Sequence, residues 1–573
     1  MNGRLAWPLL SFALVVMSGL ACTPQAPTTQ PPSAASPAAG KESVKAAGSI
    51  PGTTPAPAGA VSPQSAASPT AATQPAASPV AAARGESKGQ VTWAWYTSIP
   101  PAWLDPQEVG ALITPYLFMY AVHDAVVKHL PNQPLAPSLA ESYEIAPDFK
   151  SATFKLRPGI KFHNGDPVTP EDVVYSYEKY RGANAKVLHD KTERIETPDS
   201  RTVKFIFKEP FLDFLVLYGS PASGAGWVVP KAHYEQVGPD GFKQNPIGAG
   251  PYKFVRQSAD TLELEAFTDY WRKVPHVQSL IIKGVTEDAT RMAMLQTGEA
   301  DLMYLVPGTM IELVKNDPNL TLAPVLGGST FWLEFPGWEK PDNSFHNLKV
   351  RQAVSYALDR DAINQAEYGG YSQIIGNWIP EDWPGAIKAP PPEHDLAKAK
   401  QLMAEAGFPD GFDVESLSPI PPYMSLGERI ISQLREIGIR TKLNTMERAV
   451  FLSKLAEGPE AFKGIVYAAS GAPGDAAGRI RGFAMCQGVN SRTCVPEIDE
   501  KMTRYDTSVD PQERERLVAE VQQYIIDNMV FVPVFRQVGL GAQGPRIANK
   551  DEIWGVLPQF PTVGPYEDIR LRE

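Results

Sequence analysis

The chain has 573 residues, 43% of them hydrophobic and 20% charged, with a formal net charge of −11. That length exceeds one ordinary domain and supports a large core. The acidic balance excludes the basic stripe that a nucleic-acid partner needs for its phosphates. Eight His and three Cys leave few ligands for a multi-ligand metal centre.

The first residues read as an address. Arg4 gives a positive start, Leu5 to Met17 is an apolar run interrupted by Pro8, and Gly19, Leu20 and Ala21 precede Cys22. The run is too short to span a bilayer comfortably. Small residues before a lone cysteine resemble a bacterial lipobox, in which the chain is cut before Cys22 and acyl chains on that residue hold it to the membrane. Leu20 stands one place closer to the cysteine than that pattern has it. An ordinary secretory signal with an incidental cysteine is the alternative. Residues 1–22 are expected to be a lipoprotein signal peptide. Residues 23–88 are mostly Pro, Ala, Ser, Thr and Gln, with hardly any large apolar side chain. Such a segment cannot bury enough surface to offset its ordering entropy, and a disordered tether is expected.

From about Val91 the chain reads as globular, with helix signals alternating with short strands. Thr169-Pro170-Glu171-Asp172 has an N-cap Thr, Pro at the first helical position and an acid at N3. Asn347 opens a helix with Val350, Ala353, Val354, Ala357 and Leu358 on one face. Asp395 starts another, which Gly407 stops. Leu426 to Ile437 is a fourth, stopped by Gly438, and Asp510-Pro511 caps a fifth that leads into Phe531-Val532-Pro533-Val534-Phe535. This alternation predicts α/β lobes. Cys486 and Cys494 remain after Cys22. In an exported chain such a pair is expected to close a short loop as a disulfide.

No Gly-x-Ser-x-Gly elbow occurs in the folded region and no Walker pattern occurs anywhere. Gly248-Ala249-Gly250-Pro251 precedes the strand-like Tyr252 to Val255 and reads as a tight turn, because its amides would not sit at a helix N-terminus. His163-Asn164-Gly165-Asp166 reads as a hairpin turn rather than a metal or catalytic site. The chain is therefore not expected to be an enzyme, nor to carry a metal or other cofactor.

Several motifs resemble those of the family 5 extracellular solute-binding proteins, the oligopeptide, dipeptide and nickel type. They are Leu139 to Tyr143, Thr153 to Gly165, Thr169 to Val174, Gly248 to Tyr252, Asp269-Tyr270-Trp271 and Ala289-Thr290 leading to Gly298-Glu299-Ala300-Asp301. Val350 to Arg360, Ala397-Lys398-Ala399 to Ala406-Gly407-Phe408, and Gly438-Ile439 complete the ordered set. The resemblance implies a two-lobed, periplasmic-binding-protein-like α/β fold of type II that closes on ligand like a hinge. Lobe one would span 89–330, with an insertion at about 119–205. Lobe two would span 331–535, and 536–573 would return to lobe one. It also implies an exported, monomeric binding protein, anchored by its lipid, that hands a peptide or related small solute to an ABC permease and ATPase complex. A ligand-sensing receptor and an exported hydrolase are the competing readings.

The resemblance places the ligand between the lobes. Tyr96 after the first strand, Trp332 on the crossing strand and Trp378 are candidate contacts, with core packing as the alternative for each. In peptide-binding members the strand at Ile465 to Ser470 ends in an aromatic and an acidic residue, followed by an Asp-Pro pair whose aspartate holds the peptide amino terminus. Here Ser470 and Gly471 replace the first pair, and Asp475 stands near the later aspartate, followed by Ala476. Arg479 and Arg481 are candidates for an anionic group; the alternative is a solvated loop. Ser470, Asp475 and Arg479 thus join the candidate site, and a conventional peptide is in question. For the anchor, Cys22→Ser is expected to release the protein from membranes, read by fractionation; retention would contradict lipidation.

Overall fold

The computed structural model describes residues 86–108, 113–182, 184–221, 223–471, 474–488 and 490–573. The expected signal peptide, Cys22 and all but the last few residues of the expected tether lie outside the described residues.

Among the described residues the largest sheet has nine strands. In chain order these are β1 (Gln90–Trp95), β2 (Tyr252–Gln257), β3 (Thr261–Ala266), β4 (Ser279–Gly284), β5 (Leu302–Tyr304), β6 (Thr321–Glu334), β7 (Leu417–Pro419), β8 (Ile465–Ser470) and β9 (Val532–Gln543). Their order across the sheet is β7-β8-β6-β9-β5-β1-β4-β3-β2. Strand β1 runs parallel to β4 and β5, and β7 runs parallel to β8. The strands meet in the middle through β6 and β9, which pair antiparallel from Thr321↔Gln543 to Leu333↔Val532. The ladder breaks between Leu326 and Thr330, at Gly327-Gly328-Ser329. At Gly328 a Cβ would lie 2.9 Å from the Trp383 ring, so glycine is needed for close approach there.

Lobe one packs Trp93, Trp95, Phe118 and Leu280 against the C-terminal segment, through Ile553, Phe560, Tyr566 and Ile569. Lobe two packs Val350, Val354, Ile430, Val521 and Phe535 around β6, β8 and β9. A separate four-stranded antiparallel sheet is drawn from residues 140–207. Its core is an aromatic cluster of Phe154, Tyr177, Phe205, Phe214 and Tyr218.

Local signals act where short-range chemistry dictates them. Thr169 and Asp172 form a reciprocal capping box, and Pro170 stands at the start of that helix, α1 (Pro170–Lys179). Asn347, Asp395 and Asp510 each cap a helix through their side chains. The turn at Gly165, with φ near +92°, closes as Phe162 N–H donates to the Asp166 carbonyl at 2.8 Å. Cys486 and Cys494 are joined by a disulfide.

Trp332 lies wholly inside lobe two, with Trp378, Phe483 and Phe531 around it. Its indole N–H donates to Glu334 Oε1 at 2.6 Å, and Glu334 also pairs with buried Arg492. Removing a ring from such a site leaves a cavity that the surroundings fill only in part. Trp332→Ala is expected to lower unfolding stability by about 3–5 kcal/mol, measured by denaturant titration; a change near zero would contradict this packing.

Candidate functional site

Parallel strands present loops at their carboxyl ends, and in open α/β sheets such loops bind ligands. Here the carboxyl ends of both lobes supply the candidate residues. Tyr96 follows β1 in lobe one and is half-buried. Its hydroxyl pairs with Thr114 Oγ1 at 3.1 Å, and its ring meets Tyr304, at the end of β5, edge-on at 5.7 Å. In lobe two, Tyr423 follows β7 and precedes helix α2 (Met424–Glu436). Gln537, on spanning strand β9, donates to the hydroxyls of Tyr368 and Tyr423 at 3.2 and 3.1 Å. Burial raises the Tyr423 phenol to about 12, so it is neutral and can donate at physiological pH.

Beyond β8 the chain enters helix α3 (Ala476–Phe483), capped by Asp475. Asp475 Oδ1 accepts the Gly478 N–H at 2.8 Å. Its Oδ2 is buried and has no hydrogen-bond partner among the described residues. Desolvation first, and then the neighbouring Asp213 carboxylate, push the Asp475 carboxyl up to about 6. A buried carboxylate with an unused oxygen is prepared for a cation or a proton.

Arg479, one turn along α3, is fully buried. Its guanidinium donates to Thr330 Oγ1 at 2.9 Å, to the Trp378 carbonyl at 3.5 Å and to the Ser470 carbonyl at 2.8 Å. It lies 4.7 Å from the Trp383 ring centroid, and within 6 Å of those of Trp332, Trp378 and Phe483. Burial lowers its pKa to about 9, so it stays charged at neutral pH. Arg479 therefore ties β6, β8 and the Trp378 segment together. Trp332, Trp378, Trp383 and Phe483 form its aromatic cage, and Ser470 contributes its carbonyl to the same tie. Tyr96, by contrast, stands with Tyr304 in lobe one, near enough to Tyr423 of lobe two to help raise its phenol. The structure thus divides the six candidates: Trp332, Trp378, Ser470 and Arg479 share one buried cluster, while Tyr96 stands in another and Asp475 beside a third.

That third cluster was not signalled by any motif. Asp213 of lobe one lies just before a short helix, Phe214–Tyr218. It accepts from Arg481 Nη2 at 2.6 Å and from Arg514 Nη2 at 2.7 Å, both in lobe two. Arg481 also pairs with Asp506, and Arg514 donates to the Tyr505 carbonyl at 2.7 Å while stacking 3.7 Å from that ring centroid. Burial alone would raise the Asp213 carboxyl; Arg481 and Arg514 outweigh it and hold the group below the usual range. Arg481, a candidate for an anion, is thus occupied by a clasp between the lobes. The only sequence trace of Asp213 is one acid within Phe211-Leu212-Asp213-Phe214-Leu215, and nothing there indicates a partner some 270 residues later. Asp213→Asn is expected to weaken the interlobe contact by about 1–3 kcal/mol and to enlarge the radius of gyration in solution scattering. An unchanged scattering profile would contradict the clasp.

No group of three or more His, Cys, Asp or Glu side chains among the described residues is arranged to hold a metal ion. No described helix is long and apolar enough to cross a membrane.

A family model described as bacterial extracellular solute-binding proteins, family 5 Middle, matches residues 134–490, more than half of the chain. The glutathione-binding protein GsiB of Pectobacterium atrosepticum is 30% identical over 320 residues, which are 54% of this chain and 60% of that protein. The chain thus spans less than two thirds of that relative's length. Heme-binding protein A of Haemophilus influenzae is 28% identical over 454 residues, 72% of this chain and 81% of that protein. Among solved structures, the dipeptide-binding protein of Pseudoalteromonas sp. SM9913 in complex with Met-Leu has a TM-score of 0.72 at 21% identity, covering 84% of this chain and 100% of that one. That likeness establishes a shared two-lobed fold. These relatives are binding proteins, not enzymes. By the extent of the family match, this chain belongs to family 5 of the bacterial extracellular solute-binding proteins.

Proposed function

We propose that this chain is the extracytoplasmic substrate-binding component of an ABC-type importer, held to the membrane by a lipid on Cys22 behind the tether of residues 23–88. It captures a peptide or related small solute between its lobes and delivers it to the permease. Relatives named for binding glutathione and heme, and a neighbour holding Met-Leu, support a small solute as the cargo.

The observation that carries the reading is the unused Oδ2 of Asp475 at the carboxyl end of β8, beside the clasp of the two lobes. An ammonium group of the solute meets this oxygen and supplies the charge that burial denies it. Capture of the solute excludes water from the closing cleft, which strengthens that contact.

Because the Asp475 carboxyl titrates near 6 in the absence of ligand, binding of an ammonium compound releases a proton at lower pH. Affinity is therefore expected to rise with pH through about 6 and to level off above it. The same shift has the opposite sign for folding. Its contribution to stability without ligand is present at low pH and is lost as pH rises through about 6. Calorimetric titration with a mixed dipeptide preparation between about pH 5 and about pH 8 tests this. A flat profile would remove Asp475 from the site. Asp475→Ala is expected to weaken such binding by about tenfold or more, with unchanged affinity as the contrary result.

A further inference from the structure

The C-terminal segment does more than fill the core of lobe one. Trp554 and Val563 pair as an isolated antiparallel bridge, and the Gly564 N–H donates to the Ile553 carbonyl at 2.8 Å, so residues 554–563 form a closed loop. Ile553, Phe560 and Val563 are buried in lobe one. Two further bonds fasten the loop there. The Asn132 N–H donates to the Val556 carbonyl at 2.8 Å, and His129 Nδ1 donates to the Pro558 carbonyl at 2.8 Å. On its inner side Pro561 lies against both long strands. A Cβ at Gly327 of β6 would stand 2.9 Å from Pro561 Cβ, and one at Gly539 of β9 would run into the Pro561 carbonyl oxygen.

Gln559 stands near the tip of this loop, half-buried, with φ near +59°. Residues other than glycine seldom take that left-handed conformation, and it persists where the surroundings over-determine it. Here the neighbours on either side are held, Pro558 by His129 and Phe560 by the core. The Gln559 side chain reaches lobe two, where its Nε2 donates to the Gly474 carbonyl at 3.2 Å. Gly474 is buried, with φ near +115°, and a Cβ on it would stand 2.5 Å from Gln559 Oε1. It is also the residue before Asp475, whose Oδ1 caps α3 and whose Oδ2 has no hydrogen-bond partner among the described residues.

We propose that residues 554–563 are a strap between the lobes and that Gln559 is a positioning residue for Asp475. From lobe one it fixes the Gly474 peptide, and with it the turn that carries the Asp475 carboxyl and the first turn of α3. A binding group held in this way has less freedom left to lose when it meets its partner. Unlike the Asp213 clasp, this tie is made without charge, so salt does not screen it. The tie is internal to the chain and holds whatever solute the cleft takes, so it goes beyond the binding-protein reading and stands or falls apart from it.

Hydrogen–deuterium exchange of the full chain without added solute, resolved by peptide mass spectrometry, tests the strap. Gln559→Gly removes the amide and also relieves the left-handed backbone. Gln559→Glu keeps the length of the side chain but turns only acceptors towards a carbonyl that needs a donor. In both variants the peptides covering Gly474 to Ile480 are expected to exchange about fivefold faster or more. Helix α1 is expected to exchange at the wild-type rate, and the melting temperature of Gln559→Gly is expected not to fall. Wild-type exchange at Gly474 to Ile480 in both variants overturns the proposal. Faster exchange throughout the chain, with a lowered melting temperature, makes Gln559 a general packing residue and overturns it too. A change in only one variant traces to the backbone or to the new charge rather than to the amide, and likewise overturns it.

Discussion

Two long antiparallel strands, β6 and β9, run through both lobes, and every other feature of the site follows from that. Because they belong to one ladder, the lobes share a sheet rather than a flexible linker. The ladder is interrupted at Gly327-Gly328-Ser329 and shifts register again between Phe331 and Trp332. The same arrangement brings the carboxyl ends of β1 and β5 towards those of β7 and β8. Loops from two lobes, far apart in sequence, then supply one set of polar groups.

Charge is distributed unevenly across this junction. On one side Asp213 is over-satisfied by two arginines; nearby, Asp475 has one oxygen with no partner. Burial makes each of these carboxylates expensive as an ion, and they differ in how the expense is met. Asp213 has guanidinium partners within the fold. Asp475 has a helix N–H on one oxygen, and desolvation with repulsion from Asp213 outweighs the attraction of Arg481 and Arg514, so its carboxyl stays raised. A binding protein benefits from such incomplete pairs, since ligand then supplies interactions that the empty cleft lacks.

How much of this was legible beforehand depended on the range of the interaction. Caps at Thr169, Asn347, Asp395 and Asp510 are local devices, and the residues that form them are within a few positions of one another. The turn at Asn164-Gly165 is equally local. The two-lobed α/β class followed from the ordered motifs. Asp475 was singled out by its place after β8, yet its strained state depends on Asp213, which no spacing rule connects to it. Arg479 was legible as a cation near the site, but its use was not. Only the packing shows its donors spent on Thr330, Trp378 and Ser470 inside an aromatic cage that includes Trp332.

The most direct test of the account is the identity of what the native protein carries. Protein purified from its own host would be denatured and the released small molecules identified by mass spectrometry. The account predicts a stoichiometric solute with an ammonium group, matched to Asp475. A stoichiometric solute without an ammonium group would contradict it.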